Sequence, residues 1–466
     1  MRDICQIENH MLQPSESNES KMKKVLMIAR SFPPFFPVGF SIRVVKFIKY
    51  LPVLGWLPVV LTIDDQKECE TTRKVGSETL LSEIQPEVKI CRTTAGEPSL
   101  KFLEKEREFG QRNYLTAIIV KVVGKTRRWA FRNLLLPDWY VAWLPFALRR
   151  GRQIVRSEGI DVIFATCPPH SDALIGAFLK RLTGKPLLLD FRDDWIDTPW
   201  YHSKPTIRRM IERRMESWAV KTADKVILVT EWSKNAFLGR YPAEPSDKFA
   251  FISNGCDLGD FAVLNSMTTA PRNSRFTIVH AGSLNVSKSW GRSPAGLFQA
   301  VNHILQQQPD LTEKLTLVFA GDLPEEHRRM AEEMGLSGVM KGLGHLPHDA
   351  VLRLTKSADL LMAINYEGWS TLIPAKIYEY WAVGGPPILL LSCPGAAADF
   401  VEQHALGLTA EPSDVDGIRQ AILTIYHQSK TSAPLRVSTT GIEAYARQAL
   451  TRKLAQVLST VCNQRQ

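Results

Sequence analysis

Short apolar runs alternate with longer amphipathic stretches along most of the chain. The first run, Lys24-VLMIA-Arg30, is apolar throughout, as a strand buried on both faces of a parallel sheet must be. In SIRVVKFIKYLPVLG the residues Ile42, Val45, Ile48 and Leu51 recur at helical spacing, and WLPVVLTI is a second buried strand. These three segments predict a β-α-β unit. DVIFAT, PLLLDF and KVILVT extend the strand series, separated by the helical stretches SDALIGAFLKRLTG and IRRMIERRMESWAVKTA. A polar segment, LNSMTTAPRNS, then interrupts the pattern and reads as a linker. Beyond it FTIVHAG, LTLVFAG, LLMAI and PPILLL alternate with LFQAVNHILQQQ, AVLRLTKSA and IPAKIYEYWAV.

The pattern therefore predicts an α/β protein of two Rossmann-like, doubly wound parallel-sheet domains facing a cleft. Their expected bounds are residues 23–268 and 274–435, after a disordered tail over 1–22, with Met22 as an alternative start. A final helix, from about Ile442 to Val461 within 436–466, is expected to pack back on the first domain. In such sheets ligands lie beyond the carboxyl ends of the strands, so the loops after the strands are where chemistry belongs.

Composition narrows the class. With 44% hydrophobic and 23% charged residues over 466 positions, the chain has a globular composition, neither disordered nor fibrous. The uncharged stretch from Leu51 to Ile63 is broken by Pro52, Gly55 and Pro58, and falls short of the ~18 to 20 apolar residues of a spanning helix. The N-terminal residues lack the apolar core of a signal peptide. Seven scattered cysteines with no C-x-x-C spacing suggest neither a disulfide framework nor a zinc site, and fit a reducing cytoplasm.

Charge adds a further feature. Nearly all of the +10 surplus lies between Gly110 and Ser157, where ten Lys and Arg residues face a single acid, Asp138, among seven Tyr, Trp and Phe side chains. The stretch falls in a basic, aromatic insertion over 101–157, and its chemistry suits an anionic membrane surface. Nucleic acid is the rival partner, disfavoured because no recognised binding module is present. Trp139 to Phe146 could equally pack beneath the first sheet.

Neither G-x-G-x-x-G nor G-x-x-x-x-G-K-[ST] occurs, which disfavours dinucleotide cofactors and P-loop hydrolysis. The loop SFPPFFPVGF holds Gly39, and Arg43 follows one turn into the next helix, where it can face an anion; a bend glycine and a surface arginine is the other reading. STLIPAKIYEYWAVGGPPILLL is the most informative segment. Pro374 suits a first helical position, Ser370 or Thr371 a cap, and Gly384 with Pro386 a stop. Lys376 and Glu379 lie three apart on this apolar helix and need partners. They can satisfy each other, or Lys376 and the helix N-terminus can hold a phosphate while Glu379 accepts hydrogen bonds from a ribose.

In the first half His170 follows a strand in TCPPHS, and Asp190, Arg192 and Asp193 follow the next in LLLDFRDDW. His170 and Asp193 are candidates for contact with a sugar or acceptor hydroxyl, with loop bracing as the alternative. Asn254-Gly255 reads as a hinge. Asp414-Val415-Asp416 matches a metal-binding D-x-D, but Asp416 fits better as the N-cap of GIRQAILTIYH, and no metal is expected.

Taken in order, FPP, FATCPPHSDALIG, LLLDFRDDW, ISNGCDLGDF, FTIVHAGSL, LVFAGD, GLGHLP and IPAKIYEYWAVGGPPIL resemble the GT-B glycosyltransferases of the large retaining, sucrose-synthase-like group 1 family, over roughly Lys24 to His427. The resemblance implies a nucleotide-sugar donor, a UDP- or GDP-sugar, held mainly by the second domain, and an acceptor held mainly by the first. Glu379 matches the family glutamate that binds the donor ribose. The glutamate that many members carry eight positions earlier is Thr371 here, which leaves the sugar preference open. After FTIVHAG, Ser283 and Arg292, with Lys288 as the alternative to Arg292, match the positions that meet the diphosphate. The implied enzyme is cytoplasmic, metal-independent and free of cofactors, and moves a sugar to an envelope glycan or lipid-linked acceptor. A nucleotide-sugar epimerase of the same fold is the nearest rival.

Overall fold

The computed structural model describes residues 22–34, 38–64, 77–94, 135–266, 275–284 and 292–464. The first domain runs β1 (Lys23–Ile28), α1 (Val38–Tyr50), β2 (Trp56–Ile63), α2 (Ser77–Ser82), β3 (Lys89–Thr93), α3 (Leu144–Ser157), β4 (Val162–Cys167), α4 (Ser171–Thr183), β5 (Leu187–Phe191), α5 (Pro199–His202), α6 (Thr206–Thr222), β6 (Lys225–Leu228), α7 (Glu231–Arg240) and β7 (Phe249–Phe251). The second runs β8 (Phe276–Ala281), α8 (Ala295–Gln307), β9 (Leu315–Ala320), α9 (Glu325–Glu333), β10 (Met340–Gly344), α10 (His348–Ser357), β11 (Leu360–Ile364), α11 (Ala375–Val383), β12 (Ile388–Leu391), α12 (Ala396–Gln403), β13 (Gly407–Ala410) and α13 (Val415–Ser429). A last helix, α14 (Arg447–Asn463), follows.

The strand orders are β3-β2-β1-β4-β5-β6-β7 and β10-β9-β8-β11-β12-β13. The strand pairs within both sheets are parallel. Each order reverses direction beside its first strand, at β1/β4 and at β8/β11, which opens a crevice at the carboxyl ends. Two doubly wound domains result, as the apolar pattern implies, and they hold seven and six strands.

Both faces of each sheet are covered, which is why the central strands are apolar at every position. In the first domain Leu26, Ile163, Leu189 and Trp143 occupy one buried layer, and Val25, Met27, Phe47 and Phe164 the other. Leu450, Leu454, Leu458 and Val461 of α14 belong to that second layer, so the C-terminal helix is part of the first domain's core. Its approach is tight: Cys256 forms a parallel bridge with Ala446, and a Cβ on Gly255 would lie 1.9 Å from the Tyr445 carbonyl oxygen. Only glycine permits that contact beside Asn254, where the sequence suggests a hinge.

The basic aromatic stretch divides. Trp143 is fully buried and donates its indole N-H to Thr93 Oγ1 at 2.7 Å, so it is core. Phe146 is 42% exposed, and Arg149, Arg152 and Arg156 lie on the solvent side of α3. Arg112, Lys121, Lys125, Arg127, Arg128 and Arg132 lie outside the described residues. Among the described residues no helix is long and apolar enough to cross a membrane.

Two expected caps are corrected. The N-cap of α13 is Asp414, whose Oδ1 accepts from Gly417 N at 2.9 Å, whereas Asp416 sits inside the helix and pairs with Arg419 at 3.2 Å. Helix α11 begins one residue later than expected, with Pro374 at the cap and no side-chain cap from Ser370 or Thr371. Thr371 lies three residues before that cap and donates its hydroxyl to Asp194 of the first domain.

Candidate functional site

A cavity of about 920 Å³ lies between the domains, walled by α1 and the loops after β4, β5 and β7 on one side and by β8, β11 and α11 on the other. Asp193, Arg43, Ser283, Arg292, Lys376 and Glu379 all line it, so six of the nine residues singled out in the sequence meet in one place.

The α11 pair is intact: Lys376 Nζ lies 2.9 Å from Glu379 Oε2. The Glu379 carboxylate beside Lys376 raises the lysine pKa above its ordinary value. Burial opposes charge on Glu379, but the Lys376 ammonium outweighs it and holds the carboxyl below the usual range. Both side chains remain partly accessible, at 37% and 29%, so the pair is open to a ligand rather than sealed in the core. The first turn of α11 adds amide groups with no intrahelical acceptor.

Arg292 lies in the loop three residues before α8 with its guanidinium 4.4 Å above the Tyr366 ring, and its Nε is buried with no hydrogen-bond partner. Across the cavity, burial pushes the Asp193 carboxyl up to about 6, while the charges of Arg192 and Arg292 pull it down and Asp194 pushes it further up. Asp193 and Arg292 thus face each other from opposite domains.

Arg43 has a bracing geometry. It is buried, gives Asp190 two hydrogen bonds (Nε to Oδ2 at 3.1 Å, Nη2 to Oδ1 at 2.9 Å), and donates to the Ser253 carbonyl at 2.6 Å and the Ile252 carbonyl at 2.9 Å. A guanidinium so occupied fixes the cavity wall and the Asn254-Gly255 turn. Gly39 falls in the first turn of α1, which starts three residues before the helix expected from Ser41. Arg192 donates to the Pro168 carbonyl and so braces its loop.

His170 and Thr371 do not line this cavity. The His170 ring stacks on Trp195 at 4.8 Å and 6°, and burial, helped by Lys204 and Arg192, pulls its pKa down to about 3, leaving a neutral imidazole at the N-cap of α4. Thr371 is buried, donates its hydroxyl to Asp194 Oδ2, and accepts from the Trp369 indole at 3.1 Å. Its carbonyl accepts from Thr230 Oγ1 at 2.7 Å, a second bond between the domains.

Residues 116–255 match the model of the glycosyl transferase 4-like domain, and residues 275–428 match that of glycosyl transferases group 1. The chain carries a group 1 glycosyltransferase domain in its second half and a glycosyl transferase 4-like domain in its first. The two matches span most of the sequence and divide where the polar linker lies. No curated protein matches the sequence. Solved structures share the fold at low identity. A glycosyltransferase from Rickettsia africae superposes with a TM-score of 0.61 at 13% identity, covering 94% of this chain and 98% of its own. Anabaena HepE, solved in complex with UDP and glucose, gives 0.59 at 17% identity, covering 94% and 100%. A UDP-forming trehalose-phosphate synthase from Burkholderia vietnamiensis gives 0.59 at 12% identity, covering 95% and 99%.

In this glycosyltransferase the cavity has further polar walls that the sequence pattern does not single out. His280 is the penultimate residue of β8, an apolar strand in which a lone histidine reads as core, and its Nδ1 donates to the Met362 carbonyl at 3.0 Å. Arg447 opens α14 with its guanidinium buried in the cavity, where Nε and Nη1 have no partner and burial lowers its pKa to about 10. Its sequence signal is no more than one Arg before an amphipathic helix. Trp200, Tyr366 and Trp369 form an aromatic corner, with Trp200 and Trp369 edge to face at 4.8 Å.

Proposed function

We propose that the protein transfers a sugar, with retention, from a nucleotide diphosphate sugar to an envelope glycan or lipid-linked acceptor at the cytoplasmic face of a membrane. The observation that carries this reading is the convergence of Arg292, Lys376 and Glu379 on one cleft at the switch point of the second sheet. The HepE structure, which holds UDP and glucose, supports a UDP-sugar as the first donor to test.

In this reading Glu379 accepts hydrogen bonds from the ribose hydroxyls, and the diphosphate lies over Ser283 and the N-terminus of α11. The bond between the anomeric carbon and the diphosphate breaks as the acceptor hydroxyl attacks from the same face. The departing phosphate oxygen takes the acceptor's proton. Arg292, Lys376 and the α11 amides stabilise the charge that develops on the leaving group, and no metal is required. Guanidinium suits this role because it can bind phosphate through two donors. Asp193, facing Arg292 from the acceptor domain, accepts a hydrogen bond from a sugar or acceptor hydroxyl. Arg43 positions the wall through Asp190, and His170 and Thr371 act by packing and by joining the domains.

The exposed arginines of α3 and the basic residues before it support docking on anionic lipid. The test is transfer from radiolabelled UDP-glucose, UDP-N-acetylglucosamine or GDP-mannose to a lipid extract, with the full chain. Label entering the lipid fraction with equimolar release of nucleoside diphosphate supports the proposal. An altered sugar formed without acceptor would establish an epimerase instead.

A further inference from the structure

Among the described residues, His280 is the one imidazole that lines the cavity from a strand rather than a loop or helix, and its tautomer follows from its contacts. The Met362 carbonyl can only accept, so the Nδ1 bond at 3.0 Å places the proton on Nδ1. Nε2 is then a bare acceptor. It is buried and has no hydrogen-bond partner, an expensive arrangement unless a ligand supplies a donor. Burial, with Arg292 and Lys376 nearby, pulls the imidazole pKa down to about 4, so the ring is neutral at physiological pH.

The space that Nε2 faces is kept open by Gly282. A Cβ at that position would sit 3.7 Å from Nε2 and 3.6 Å from Lys376 Cε, and the backbone there has φ +149°, which disfavours any other residue. An atom entering from the cavity above Gly282 therefore meets a hydrogen-bond acceptor on one side and an ammonium-bearing chain on the other. A phosphate oxygen satisfies the ammonium but turns a lone pair toward the lone pair of Nε2. A hydroxyl satisfies both, donating to the imidazole and accepting from the lysine. The ribose hydroxyls belong to Glu379, a turn deeper in α11, which leaves the hydroxyls of the transferred sugar.

We propose that His280 is a sugar-selecting residue, its Nε2 accepting a hydrogen bond from a hydroxyl of the transferred sugar that Lys376 contacts from the other side. The proposal rests on the nucleotide-sugar reading of the cleft and adds a determinant of which sugar is taken. Donors lacking that hydroxyl leave Nε2 unpaired and are discriminated against, as sites built around a buried polar group reject analogues that cannot complete it.

The test is calorimetry on the full chain with UDP, UDP-glucose, GDP and GDP-mannose, comparing wild type with His280→Leu and His280→Gln. The expected result is that His280→Leu binds the free diphosphate within twofold of wild type but loses about tenfold in affinity for the sugar nucleotide. His280→Gln, whose amide oxygen can replace the Nε2 acceptor, should recover part of that loss. An equal loss for diphosphate and sugar nucleotide, or unchanged binding of both in a folded His280→Leu, overturns the proposal. So does proton uptake on diphosphate binding that His280→Leu and His280→Gln both abolish, since that would make the ring a cationic phosphate ligand. Wild type binding none of the four compounds would instead reject the nucleotide-sugar reading itself. Thermal midpoints of the variants serve as the folding control, and if His280→Leu does not fold, His280→Gln carries the comparison through its sugar-nucleotide to diphosphate ratio.

Discussion

Thr371, in the second domain, donates its hydroxyl to the Asp194 carboxylate of the first, where Ser233 donates as well. The contact explains what stands at a position where many group 1 relatives carry glutamate: here the side chain ties the domains together. Burial raises the Asp194 pKa, and the two hydroxyls oppose that shift. Thr371→Val should lower stability by about 1 to 3 kcal/mol, because Asp194 and the Trp369 indole each lose a partner. Thr371→Glu should be worse, since it sets a second carboxylate against a buried one. Urea or thermal midpoints check both, and a Thr371→Glu protein as stable as wild type would contradict the assignment.

Asp193 gives a pH signature. Its folded pKa of about 6 is above the unfolded value, so its contribution to stability is complete below about pH 4 and is lost as pH rises through 6. Asp193→Asn, which cannot ionise, should therefore match wild type in thermal midpoint near pH 4 and exceed it near pH 7.5. If the carboxylate must be charged to accept a hydroxyl, wild-type transfer falls as pH drops below 6, and that inflection is absent from the Asn variant.

Much of the architecture is legible in the sequence because the central strands are buried on both faces. VLMI, VIFATC and LLLDF carry an apolar signal that admits few alternatives. Four strands escape that signal: β3, β7, β10 and β13 flank the sheets or are three to five residues long, and MKGLG in β10 is mostly solvent-facing. Edge strands with a wet face have no continuous apolar run to detect. Lys376 and Glu379 stand out because charge on an apolar helix must be accounted for. The cap assigned to Thr371 fails because the helix starts four residues later, at Ala375, and the Thr371 hydroxyl is held by Asp194, 177 positions away, a partner that local spacing cannot register. His280 and Arg447 are silent for the same reason: their unpaired atoms become visible only when the second domain and α14 close around them.

Metal independence is a further expected outcome. With the diphosphate charge assigned to Arg292, Lys376 and a helix N-terminus, transfer should survive EDTA. Loss of activity on chelation, restored by Mg²⁺ or Mn²⁺, would contradict that assignment.

Membrane docking is tested by co-sedimentation with liposomes. At about 1 kcal/mol per engaged Lys or Arg, binding should require anionic lipid, fall with salt, and weaken when Arg149, Arg152 and Arg156 are replaced by Gln. Indifference of the wild type to anionic vesicles at low salt would remove the membrane from the account.

The central claim is that the cleft around α11 holds the nucleotide of a sugar donor. Titration calorimetry of UDP and GDP into wild type and Glu379→Ala tests it most directly. The expected result is binding by wild type of at least one nucleotide, weakened by roughly 1.5 to 3 kcal/mol in a folded Glu379→Ala protein, the range for hydrogen bonds to a charged group. Equal affinity in the two proteins would contradict the assignment of the ribose to Glu379, and loss of folding in the variant would make Lys376 and Glu379 a structural pair.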